Sequence, residues 1–177
     1  MFKNVMVYRI GEGFAPTLAD VQAALEPAQF VECGASQEKS VGWIPPRGEA
    51  YGPLVESVGG QWIVKLMIES KAVPGNVVRR KADERIAEIE AATGRKPGKK
   101  EKRDLMDDVL LSLLPQAFAR QSTVIVWMDL ENRRLGLNAG SQGKADEVMS
   151  ALMNVLAGLS VSLIQTVTSP QAAMTQW

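Results

Sequence analysis

Ten of the chain's twenty lysines and arginines fall within residues 79–103: Arg79, Arg80, Lys81, Arg85, Arg95, Lys96, Lys99, Lys100, Lys102 and Arg103. Five acids share that window, Asp83, Glu84, Glu88, Glu90 and Glu101, so it carries a net +5 and the other 152 residues a net −5. Cations at this density suit phosphate groups, whose condensed counterions they displace. The stretch 95–103 is the most concentrated, with six basic residues against one acid. Its charges are not neutralised nearby in sequence, so the tip is a stronger phosphate candidate than the flanking shaft. The same pattern also fits a solvated helical surface supported by pairs such as Glu84 with Lys81 and Arg80. Two readings therefore stay open here: a contact to phosphates, or a charged face that docks an acidic protein.

Other chemistry is sparse. The absence of histidine removes His-based acid–base catalysis, His-dependent triads and His metal sites. The one cysteine, Cys33, cannot form an internal disulfide or a thiolate zinc cluster, which fits a reducing compartment. Its apolar neighbours suggest a buried small side chain on a strand. Gly140-Ser141-Gln142-Gly143-Lys144-Ala145 hints at a phosphate loop. A Walker A motif would need Gly at position 138, which is Asn, and Ser or Thr at position 145, which is Ala. Asp107 and Asp108 are adjacent on a helical stretch and do not share a face. Asp129 and Glu131 could together hold Mg²⁺, though a hairpin turn accounts for both. Trp62 and Trp127 fit core strands. The four tryptophans are too scattered to form a stacking platform for bases. No catalytic residue, metal ligand or cofactor is expected.

The elements that must position these residues follow from periodicity. With 177 residues, 46% of them hydrophobic, the chain can bury one core with an appendage, or two small ones. That composition excludes disorder as a description of the whole. The N-terminus lacks the apolar run of a signal peptide. Residues 148–177 carry no charge, but the window 148–168 includes eight polar or glycine positions. It is expected to form a core helix followed by a strand and not to cross a membrane.

Strands are expected over 5–10, 30–33, 61–68, 122–128, 134–138 and 159–167. A short helix over 17–25 is capped by Thr17, with Leu18, Val21 and Leu25 on one face. Residues 41–46, Val-Gly-Trp-Ile-Pro-Pro, are expected to form a rigid apolar turn. A helix over 76–92 ends at Gly94, and a second over 99–114 carries the stripe Leu105, Met106, Val109, Leu110 and Leu113. A short loop makes these two an antiparallel hairpin. A last helix is expected over 144–156. The fold class is therefore α+β: a mixed strand–helix core in two parts, 1–74 and 116–177, with a projecting helical-hairpin finger, 75–115, inserted between them.

Several blocks then match one family in order. The opening Phe2-Lys3-Asn4-Val5-Met6-Val7-Tyr8-Arg9 resembles the start of the RdgC family of bacterial recombination-associated proteins. So do Gly42-Trp43-Ile44-Pro45-Pro46, the basic tip Gly94-Arg95-Lys96 with Lys99-Lys100-Glu101-Lys102, and Leu111-Ser112-Leu113-Leu114-Pro115-Gln116-Ala117-Phe118-Ala119-Arg120. Trp127 with Asp129 and the closing Thr175-Gln176-Trp177 continue the match. The resemblance implies a cytoplasmic, nucleoid-associated, non-enzymatic protein that binds double- and single-stranded DNA without sequence preference. It implies a homodimer shaped as a ring around DNA, and restraint of the recombinase that performs strand exchange. By the same resemblance Arg95, Lys96, Lys99, Lys100, Lys102 and Arg103 would contact DNA, helped by Arg79 and Arg80. Phe118, with Gln116 beside it, would lie at a dimer contact. Gln116 stands where some relatives have Arg, and Gly98 where a basic residue can occur. The family's chains continue well beyond Trp177, so this chain reads as their N-terminal part, without the later segments that ring closure needs.

Overall fold

The structure is a computed structural model that describes residues 4–164 and 173–175. Among these residues it is α+β, with four α-helices and a seven-stranded sheet. The order of elements is β1 (Met6–Ile10), α1 (Leu18–Leu25), β2 (Lys39–Ile44), β3 (Val55–Val58), β4 (Gln61–Lys71), α2 (Gly75–Thr93), α3 (Lys99–Leu113), β5 (Ala119–Asp129), β6 (Arg134–Leu137), α4 (Gln142–Val155) and β7 (Val161–Leu163). The strand order is β2-β4-β5-β6-β1-β7, with β3 paired to β4. β1 runs antiparallel to β6 and β7, β3 to β4, and β5 to β6.

The chain divides into two compact units. The first comprises 1–30, 42–67 and 123–177; the second comprises 31–41 and 68–122. β4 and β5 each continue from one unit into the other. In the first unit the buried side chains include Ile10 on β1, Val21 and Leu25 on α1, Trp43 on β2, Val126 and Met128 on β5, and Val148 and Leu152 on α4. Each such side chain removed from water contributes about 1.5–3 kcal/mol. The second unit contains the α2–α3 hairpin and the residues on either side of it.

Local chemistry explains the element ends. Thr17 and Asp20 form a reciprocal capping box at α1: the Asp20 N–H donates to Thr17 Oγ1 and the Thr17 N–H donates to Asp20 Oδ2. β3 and β4 meet through Gly59-Gly60, with φ of 60° and 83°. A two-residue hairpin turn needs positive φ at both positions, which glycine adopts without strain.

Three expectations from sequence are corrected. Residues 41–46 are not a turn, because Lys39–Ile44 is strand β2 and Trp43 is buried there. Residues 30–33 are not a strand: they follow a single parallel bridge between Gln29 and Trp43, and Val31 is exposed. The Gly-Trp-Ile-Pro-Pro block looked like a turn because its prolines lie just past the strand end, where they block nothing. Trp62 and Trp127, expected in the core, are only half-buried; the Trp127 indole N–H donates to Gln61 Oε1 at 2.8 Å. Residues 165–167 of the expected last strand, and Trp177, lie outside the described residues.

Candidate nucleic-acid interface

The hairpin is held by apolar contacts far from its charged tip. Val78, Ala82 and Val109 form a buried cluster, with Val73, Leu110 and Leu113 packed against it. These contacts join the start of α2 to the end of α3, so the helices are antiparallel and the loop 94–98 forms the other end. Gly94 leaves α2 in the left-handed conformation, φ 71°, and its N–H donates to the Glu90 carbonyl. Gly98 opens α3, and the Glu101 carboxylate accepts the Gly98 N–H at 3.3 Å.

Folding alters the charge balance of the tip. Arg95 donates from both terminal guanidinium nitrogens, Nη1 and Nη2, to the two Glu101 carboxylate oxygens, each at 3.0 Å. That fork, followed by the Gly98 N–H, holds the Glu101 carboxyl below the usual carboxylate range. Lys96 Nζ lies 3.6 Å from Glu90. The expectation that the tip charges are unneutralised is therefore corrected for Arg95 and Lys96. The chain reversal brings Glu90, near the end of α2, and Glu101, in the first turn of α3, to the loop. Lys99, Lys100, Lys102 and Arg103 are exposed, with no ion pair among the described residues. All four sit in the first turn or so of α3, where the helix dipole disfavours cations. Lys99 and Arg103 are also like charges one turn apart, which is mildly destabilising. A bound anion would offset both costs.

Arg79 and Arg80 are not brought to this tip. They lie near the start of α2, and Arg80 is about 20 Å along the helix axis from Thr93. Arg80 Nε is 4.0 Å from Glu84, and both side chains are largely exposed. Such a pair stabilises by a few tenths of a kcal/mol at most.

With this geometry in place, comparisons with known proteins bear on its meaning. A family model described as "Putative exonuclease, RdgC" matches residues 1–177. The chain belongs to the RdgC family. It is 38% identical over 176 residues to the recombination-associated protein RdgC of Dechloromonas aromatica (strain RCB), and 38% identical to that of Herminiimonas arsenicoxydans. It is 36% identical over 177 residues to the RdgC of Haemophilus influenzae (strain PittGG). Each match covers 99% of this chain but only 57–58% of the relative. The chain thus spans less than three-fifths of the length of the relatives it matches.

Phe118 and Gln116 lie just past α3. Gln116 is the last residue of a short 3-10 turn, Leu114–Gln116, that follows the helix, and Phe118, two residues on, is 95% exposed. A hollow of about 330 Å³ beside it is lined by Val73, Pro74, Leu113 and Ala117.

The remaining sequence candidates have structural roles. Asp129 is buried and accepts the Asn132 backbone N–H at 3.0 Å and its Nδ2–H at 2.9 Å. These bonds close the β5–β6 turn and lower the Asp129 pKa. Ser141 caps α4 by accepting the Lys144 N–H. Asp107 and Asp108 are exposed on α3. Cys33 is half-buried on an irregular segment and not, as expected, buried on a strand. Among the described residues no three Cys, Asp or Glu side chains converge as a metal site, and no helix is long and apolar enough to cross a membrane.

Sequence reasoning missed Arg9, Arg133 and Arg134. Arg9 is far in the chain from the adjacent Arg133 and Arg134, and the β1–β6 pairing brings all three to one hollow. No local window contains that signal.

Proposed function

We propose that this chain provides the DNA-contacting hairpin of a recombination-associated protein. It binds duplex and single strands without sequence preference, works as a homodimer around or along DNA, and limits access of the strand-exchange recombinase. In the cell it associates with the nucleoid. The observation that carries this reading is the group of four exposed cations Lys99, Lys100, Lys102 and Arg103 at the start of α3, with no ion pair among the described residues. Phosphate contacts position a protein on DNA but carry no base information, which suits indifference to sequence. The relatives' names tie the family to recombination. Although the family description names an exonuclease, the reading here is non-enzymatic: plasmid incubated with the protein and Mg²⁺ is expected to stay intact, and nicking or degradation would overturn it.

Each neutralised phosphate contributes about −0.9 to the slope of log affinity against log salt, so four contacts give a slope of roughly −3 to −4. The complete protein is titrated onto a labelled mixed-sequence duplex between low and physiological salt. Replacing the four cations by Gln is expected to remove most of that slope. A wild-type slope near zero would sink the DNA reading. Undiminished duplex binding by the quadruple variant would instead make the hairpin a protein-docking module.

A further inference from the structure

The first compact unit has a second cationic feature that the hairpin does not explain. Strand register puts Arg9 of β1 directly opposite Arg134 of β6, and opposite Ser162 of β7 on its other side. Residues paired directly across a sheet share a face, so Ser162, Arg9 and Arg134 form a row on one face. Arg133 precedes Arg134, and together they border a hollow of about 280 Å³ with Gly11, Glu12 and Asn132. This unit has seven basic residues against nine acids, and three of the seven meet here.

The backbone uses Arg133 to close the β5–β6 turn and to accept the Ile10 N–H at 2.9 Å, but the arginine side chains themselves add no evident stability. Like charges directly opposite on paired strands repel. Arg133 has φ 52°, a left-handed conformation that side chains other than Gly, Asn and Asp rarely adopt. The acids nearby do little to compensate. Glu12 comes within 4.0 Å of Arg133, but its side chain is 95% exposed. Asp129, opposite Arg134 on β5, offsets part of that guanidinium's charge, although its carboxylate accepts from Asn132 and makes no ion pair with Arg134 among the described residues. Among the described residues neither Arg9 nor Arg134 has an ion pair. Repulsion only partly compensated, converging on a concave surface, is what a tetrahedral oxyanion would relieve. Guanidinium forks match phosphate oxygens two at a time, and the Ser162 hydroxyl adds a donor.

We infer that this hollow is a second phosphate site, which takes a backbone phosphodiester of DNA independently of the hairpin. The inference rests on the DNA-binding reading above. It gives the first unit its own grip on the nucleic acid, although that unit's net charge is negative.

The test uses the complete protein with Arg9→Gln/Arg134→Gln, beside the hairpin quadruple variant. Removing a repulsive pair is expected to leave the melting temperature unchanged or raised. The salt slope on a mixed-sequence duplex is expected to fall by about one, for the single phosphate that the two arginines hold together. Arg9→Lys/Arg134→Lys keeps the charge and is expected to keep the slope while weakening affinity through loss of the forks. An unchanged slope in the Gln variant overturns the inference, and so does a lowered melting temperature in the Lys variant, which would make the arginines structural. Calorimetric titration with inorganic phosphate identifies the other source. Saturable phosphate binding lost in the Gln variant, with the duplex slope intact, would assign the hollow to a free anion and overturn the DNA assignment. If the hairpin variant loses its slope and the Arg9/Arg134 variant does not, this inference fails while the DNA reading stands. If the wild type shows no salt-dependent binding, both fail.

Discussion

Glu69 shows how one carboxylate can take the place of a strand. It is 2% exposed, and its oxygens accept the Cys33 backbone N–H at 2.7 Å and the Gln121 Nε2–H at 2.6 Å. Lys71 Nζ adds bonds to the Cys33 and Gly34 carbonyls. The segment after residue 30 thus finds partners for its backbone without joining a ladder, which is why the strand expected at 30–33 does not form. Burial, then the nearby Glu69, push the Cys33 thiol up, so it stays protonated at neutral pH. The Gln121 and Cys33 bonds hold the Glu69 carboxyl below its ordinary value of about 4.3. A lowered folded pKa stabilises above the unfolded value, and that stability is lost as pH falls through the folded value. Glu69→Gln should therefore melt lower than wild type at pH 7, and the gap should close as both are taken from about pH 5 towards pH 3. Melting curves recorded at several pH values measure this, and parallel curves across that window would remove Glu69 as the cause.

At the scale of elements, helices were legible and strands only partly so. α2 and α3 begin and end within about a residue of their expected limits, because their signals are local: apolar residues three and four apart, Gly94 at one end, Pro115 past the other. Strand identity depends on partners that a window does not contain. β3 went unread although Gly59-Gly60 announces its hairpin, and β2 was mistaken for a turn. The tip was misjudged for a related reason: Arg95 and Glu101 were summed as charges along a line, while the loop makes them a bidentate pair. Arg9 and Arg134 are the extreme case, since only the sheet register joins them. The hairpin's own stability is more local. Val109 is fully buried between Val78 and Ala82 on α2 and its neighbours on α3. Val109→Ala removes two methyl groups from that seam and should cost roughly 1–3 kcal/mol. Amide exchange across α2 and α3 should speed up while strands β1 and β6 keep their protection. Uniform loss of protection across both units would mean that the hairpin does not open on its own.

For the whole molecule, a formal net charge of zero conceals two units of opposite sign. By sequence the first has seven basic and nine acidic residues, the second thirteen and eleven. An acidic surface with cations gathered at the α3 tip and at the Arg9–Arg134 hollow restricts where a polyanion can settle. Such limited contact per chain makes a second copy valuable, because two linked sites bind with an effective concentration that neither has alone. On the proposed homodimer, Phe118 is the candidate side chain to join copies. It is 95% exposed beside an apolar hollow, so its replacement disturbs no packing in its own chain. A buried aromatic at an interface typically contributes 2 kcal/mol or more, which corresponds to roughly a thirtyfold change in dissociation constant. Phe118→Ala in the complete protein should leave the melting temperature of the dilute protein unchanged and raise the dimer dissociation constant by about that factor in sedimentation velocity. Per chain, the salt slope of DNA binding should persist, since no cation is lost, while affinity falls with the dimer population. A variant that stays as dimeric as wild type at the same concentrations would exclude Phe118 from the contact, and a slope that collapses with the dimer would mean that the cations act only when two chains are joined.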